Sequence, residues 1–164
     1  MNRASSSLFA VVASAMLVDM ATSREQLRQA LAAYQQQLAQ RPDDARTLLK
    51  VGDLHLRADE PAEAVVVYRR AAEVFAKDGK HLQAIAVWKH VIQLLRDRAP
   101  ELAAKITEVV LLLVASFLAL GRDDDAIAVG EEGAEALERF GLHDEAAELR
   151  RRAVELSGNN LHSG

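Results

Sequence analysis

The chain has no cysteine, only three prolines, and few aromatics: four Phe, two Tyr and one Trp. Without cysteine there are no disulfides, thiol nucleophiles, thiolate metal sites or acylated-cysteine anchors. The scarcity of aromatics argues against a base-stacking surface, and a formal net charge of −4 gives no general attraction to nucleic acid or anionic lipid. No glycine-rich phosphate loop, dinucleotide fingerprint, serine nucleophile elbow or HExxH metal pair is present. The histidines, His55, His81, His90, His143 and His162, are scattered, and none has a second His four residues on. His81 and His143 follow an interhelix glycine, which suits a turn role. Asp123–Asp124–Asp125 lacks the alternating ligands and the glycine bend of a calcium loop. These absences predict a chain that is not an enzyme, with no catalytic residues, no cofactor and no metal.

What is present is material for a core. Half of the residues are apolar and 27% are charged, enough for one domain without metal or disulfide. The apolar residues follow helical spacing throughout, and no stretch alternates as a strand does. Ser23 with Gln26 forms a capping box ahead of Leu27, Ala30, Leu31, Tyr34 and Leu38, which make one helical stripe. Pro42 and the aspartates after it stop that helix and cap a second, over about 45–58. Asp59 and Pro61 open a third, which ends at Asp78–Gly79, where Gly79 can take the left-handed conformation. A fourth covers about His81–Asp97. Pro100 opens a fifth, which runs to Leu120 and is closed by Gly121. Its stretch "VVLLLVASFLAL" is apolar nearly all round but too short for a membrane span, which predicts a helix buried between neighbours. The three aspartates start a sixth helix, closed by Gly141, and His143–Leu156 is the last. Gly130 and Gly133 lie inside the sixth helix, at a cost of about 1 kcal/mol each relative to alanine. The expected compensation is close packing against the fifth helix, with a notch for a partner side chain as the alternative. Arg150, Arg151 and Arg152 read as a solvated helix face, with an anionic partner as the alternative.

The sequence also repeats. Shifted by 62 positions, Leu56, Ala64, Val67, Ala72, Glu73, Gly79, His81, Ala84 and Leu94 meet Leu118, Ala126, Val129, Ala134, Glu135, Gly141, His143, Ala146 and Leu156, all identical in type. Large and small residues recur within each unit as well. From Ala45 onward, Leu48, Val51 and Tyr68 are large, whereas Gly52, Ala64 and Ala71 are small. A second, overlapping register from Val65 has Tyr68, Ala71, Ala72, Phe75, Ala84, Trp88 and Val91.

In this pattern the chain resembles the tetratricopeptide repeat (TPR) family, in particular bacterial TPR proteins, whose unit is about 34 residues. The resemblance is strong over 24–98, weaker over 107–157 and absent from 1–20. Three features depart from it: His55 stands where an aromatic is usual, the final proline is missing, and Gly130 replaces an expected aromatic. The resemblance implies an all-α chain of antiparallel helix-turn-helix repeats stacked in a right-handed TPR-like solenoid. It also implies a protein–protein interaction scaffold or adaptor that binds a peptide or helix of a partner in its concave groove. Carried onto the matching repeat, the groove-facing residues are Arg46, Leu49, Asp53, Leu56 and Arg57. Two cations, one anion and two apolar anchors would suit a short amphipathic or acidic segment.

The expected organisation is an N-terminal apolar segment over 1–22, the repeat domain over 23–157 and a disordered tail over 158–164. The apolar run Leu8–Val18 is short for a membrane span, which needs about 20 residues, yet long enough for a signal-peptide core. It reads as an extra helix, as a start assigned upstream of Met20, or as a signal. A cytoplasmic protein is therefore expected, with neither nucleic acid nor membrane as partner. The alternatives are an exported or membrane-tethered assembly factor using residues 8–18, and a structural subunit that self-associates into a homo-oligomer through its terminal helices.

Overall fold

The computed structural model describes the backbone of residues 3–161 and the side chains of residues 14–158. Among the described residues there are seven α-helices, one 3-10 segment and no strand. They are α1 (Arg3–Gln40), α2 (Ala45–Arg57), α3 (Pro61–Lys77), α4 (His81–Asp97), the 3-10 segment (Pro100–Lys105), α5 (Ile106–Leu118), α6 (Asp123–Arg139) and α7 (His143–Leu161). Each helix packs on the next in sequence, and α5 also packs directly on α7. Arg69 of α3 reaches Glu108 of α5 at 2.6 Å, and Arg98 after α4 reaches Asp59 after α2 at 2.7 Å. Contacts between helices two apart place odd- and even-numbered helices in two layers. The architecture is the expected one: all-α, with antiparallel hairpins stacked as a helical-repeat solenoid.

One device closes four of the hairpins. After α2, α3, α5 and α6 the chain passes through one residue of positive φ: Asp59 (60°), Gly79 (73°), Gly121 (66°) and Gly141 (75°). The amide after each of these donates back into the last turn: Glu60 to His55 O, Lys80 to Phe75 O, Arg122 to Phe117 O and Leu142 to Leu137 O. This is the Schellman closure, which satisfies carbonyls that the helix end would leave bare. The 62-residue shift is structurally real, since α3 and α6 start and end 62 residues apart, and so do the starts of α4 and α7.

The size alternation is what packs the hairpins. Leu48, Val51, Ala64, Tyr68 and Ala71 are all buried. A main core runs from α3 to α7, with Trp88, Leu95, Ile106, Val109, Leu113, Val114, Leu137 and Leu149 fully enclosed. A smaller cluster of Ala45, Leu48, Ala71 and Val74 holds α1 through Leu38. Gly133 is compact for a reason: a Cβ there would lie 2.7 Å from Val110 and 3.0 Å from Leu149, so the glycine lets α6 settle onto α5 and α7. At Gly130 a Cβ would meet Ala153 of α7 at 3.0 Å.

Four boundaries differ from expectation. The capping box at Ser23 is not used: α1 is one helix from Arg3 to Gln40, and Thr22 turns its hydroxyl back to Val18 O at 2.9 Å. Residues 3–40 contain no glycine or proline to interrupt them, so a weak cap does not stop the helix. Asp59 does not cap α3. It occupies the left-handed position instead, and Glu60 takes the N-cap place without a side-chain hydrogen bond. Pro100 opens a 3-10 segment rather than α5, which begins only at Ile106. At the other end α7 continues through Gly158 to Leu161; residues 162–164 lie outside the described residues, as do Met1 and Asn2.

Of the apolar run Leu8–Val18, side chains 8–13 lie outside the described residues. Met16, Leu17 and Val18 are exposed at 63%, 67% and 65%. Among the described residues no helix is long and apolar enough to cross a membrane.

Candidate functional site

The five residues expected to line a groove all lie on α2 but do not share one role. Arg46 and Arg57 are exposed, and neither guanidinium has an ion-pair partner among the described residues. Leu49 and Leu56 are half-buried and pack against the core, so they serve the fold as well as any surface. Asp53 accepts a short hydrogen bond from the Tyr68 hydroxyl of α3. Burial first, and that bond second, push the Tyr68 phenol above the ordinary tyrosine range. Arg57 lines a cleft between α1 and the end of α2, together with Met20, Arg24, Leu27, Arg28 and Leu31. Asp53 is thus tied to α3 while Arg57 faces the α1 cleft, although the two lie only four positions apart in sequence.

Another depression lies farther along the chain. It is a furrow of about 370 Å³ between α4 and α6, floored by Val110 and Leu113 of α5. It exists because α4 and α6 belong to one layer and stand apart, while α5 packs beneath both. On α4, Lys89, Ile92, Gln93 and Arg96 recur at helical spacing along one wall, with Asp97 at its C-terminal end. On α6 the facing wall is Val129, Glu132, Gly133 and Ala136. The two small residues keep that wall low. Lys89 also stands over the Phe117 ring, 5.5 Å from its centroid. Lys89, Arg96 and Glu132 are exposed and make no ion pair with one another among the described residues.

The basic run of α7 is different. Arg150 pairs with Glu131 at 2.8 Å and with Glu138 at 2.6 Å, and Arg151 pairs with Glu148 and Glu155. The hydrogen bond from Arg150 is the largest influence holding the Glu138 carboxyl below its ordinary value, and bonds to Glu138 and Glu131 raise the arginine in turn. Two of the three arginines are thus matched by this chain's own carboxylates. Beside Arg150, a notch of about 50 Å³ opens at Gly130, flanked by Ile127, Ala153 and Val154. No group of three or more His, Asp or Glu among the described residues could hold a metal ion.

No family model matches the chain, and no curated protein matches it. Among solved structures, a crystal structure of MamA is similar over 88% of this chain and 96% of its own, at 19% identity and a TM-score of 0.36. A crystal structure of MamA protein is similar over 88% and 90%, at the same identity and TM-score. A likeness at that level fixes neither the repeat type nor a partner.

The furrow escaped sequence reasoning because its lining comes from three helices spread over about fifty residues. One signal was present: Gly133, an interior helix glycine for which a notch for a partner side chain is the alternative reading, lines it.

Proposed function

We propose that the chain is a protein-interaction scaffold that holds a peptide or helix of a partner protein against its even-numbered helices. The observation that carries this reading is the furrow between α4 and α6, whose floor is apolar and whose lining residues Lys89, Arg96 and Glu132 are exposed and make no ion pair with one another among the described residues. A packed solenoid hides most of its apolar surface, and what stays open in a grooved form is where a partner gains affinity. The α2 face is a second candidate surface: Arg46 and Arg57 would orient an acidic segment, and Leu49 and Leu56 would offer their exposed edges. The hydrogen bond to Tyr68 leaves Asp53 less able to contribute.

Affinity capture with purified chain, with Gln93→Trp and with Arg46→Glu/Arg57→Glu tests both surfaces. Gln93 is an exposed wall residue, so tryptophan there fills the furrow without disturbing the core. A protein retained by the wild type and lost with Gln93→Trp supports the furrow. One lost only with the arginine pair supports the α2 face. Retention by both variants contradicts the proposal.

A further inference from the structure

The furrow's charges are arranged, and the arrangement specifies what fits. Lys89 and Arg96 lie seven residues apart on α4, two turns of one wall, about 10 Å along the axis. Glu132 stands on the opposite wall. Consecutive helices are antiparallel, so α4 and α6 run the same way, and the walls present a cation at each end of one side and an anion on the other. The only other charge on the lining is Asp97, the last residue of α4, beside Arg96. Were the furrow narrow enough to close on itself, Glu132 would pair with a cation opposite. It pairs with neither Lys89 nor Arg96, so these exposed charges on the furrow's lining stay free of ion pairs with one another, with Lys89 resting near the Phe117 ring.

Resting on the scaffold reading above, we infer that the furrow's occupant is an amphipathic helix of another protein with opposite charges on its two flanks. Its apolar stripe seats over Val110, Leu113 and Ile92. Two acidic residues seven apart face Lys89 and Arg96, and one basic residue on the other flank faces Glu132. Seven residues bring side chains back to one face of a helix, so the ligand's period matches the wall's. The flanks also set direction. Turning the ligand end for end about the furrow normal exchanges its flanks, so only one direction of a given helix satisfies both walls. Charge at the rim decides register and partner choice more than total affinity.

The test uses the full chain and three labelled helical peptides with the same leucine stripe. One carries Glu on one flank and Lys on the other, one carries Glu on both, and one carries Lys on both. Fluorescence anisotropy should show the mixed peptide binding about threefold to tenfold tighter than either uniform one, the range expected for a few exposed ion pairs. Glu132→Lys should move the preference to the all-Glu peptide, and Lys89→Glu/Arg96→Glu to the all-Lys peptide. These are exposed positions, and an unchanged helical circular dichroism spectrum and melting midpoint would show that the fold is intact. Equal binding of all three peptides, lost with Gln93→Trp, would overturn the inference and leave the furrow reading standing. No binding, or binding indifferent to Gln93→Trp, would remove both. Concentration-dependent self-association abolished by Gln93→Trp would assign the furrow to a second copy of the chain and overturn the inference as well.

Discussion

The Tyr68 ring lies so close over Gly52 that a Cβ at position 52 would sit 2.6 Å from Tyr68 Cε1. That contact between α2 and α3 is the repeat's packing rule in one pair: a missing side chain on one helix makes room for a large one on its neighbour. Tyr68 then passes its hydroxyl to Asp53, the residue after that glycine, and its ring meets His90 of α4 edge-on at 4.9 Å. One side chain thereby ties three consecutive helices together.

Gly52→Ala is expected to lower stability by about 1–3 kcal/mol, as overpacking does, although alanine is favoured in a helix by about 1 kcal/mol. Chemical denaturation measures it. In a Tyr68→Leu background the same change should cost much less, and a double-mutant cycle would return the difference as coupling. Equal cost in both backgrounds would separate the two residues.

The four hairpin turns predict substitutions of opposite sign. Asp59 and Gly121 occupy the same left-handed position 62 residues apart. Gly121→Val should lose about 1–2 kcal/mol, because a side chain there crowds the backbone. Asp59→Gly should raise the melting midpoint, because the exposed ion pair it gives up with Arg98 is worth about 0–1 kcal/mol at most. Thermal melts of the two variants check both signs.

Much of this was legible in the sequence, and the places where it was not have physical causes. Gly79, Gly121 and Gly141 marked three turns because glycine adopts positive φ without strain. The fourth was missed because Asp59 also reads as an N-cap, and only the backbone shows which role it takes. The sequence left the α2 cap between Asp43 and Asp44, and the fold gives it to Asp44, whose carboxylate accepts from the Arg46 and Thr47 amides at 3.1 and 3.2 Å. The continuity of α1 was not legible, because a capping motif inside an uninterrupted helix looks like one at its start. Of the expected partner-binding residues, burial of Leu49 and Leu56 depends on neighbours that α2's own sequence does not name. The furrow depends on the spacing between α4 and α6, which no local pattern encodes.

Acid should weaken the C-terminal hairpin through Glu138. Its carboxyl is held below the ordinary value in the fold, chiefly by Arg150. The unfolded chain therefore binds the proton more readily, and the contribution is present above the ordinary carboxylate range and lost as pH falls through it. Melting midpoints across that range should fall less steeply for Glu138→Gln than for the wild type.

Alkali should act on Tyr68 in the opposite sense. Burial and the bond to Asp53 favour the neutral phenol, so its contribution holds below the ordinary tyrosine range and is lost as pH rises above it. In a Tyr34→Phe variant, whose remaining tyrosine is Tyr68, phenolate absorption should appear together with loss of helical signal. Ionisation in the ordinary range with the helices intact would contradict the buried bond.

The scaffold reading meets its most direct test in site-specific photo-crosslinking within the cells that make the protein. A photoreactive residue at position 93, on the furrow wall, is predicted to capture one discrete partner through a helical segment. The same probe at Arg152, exposed on α7, should give no such adduct. No adduct from position 93, or the same adducts from both positions, would contradict recognition in the furrow.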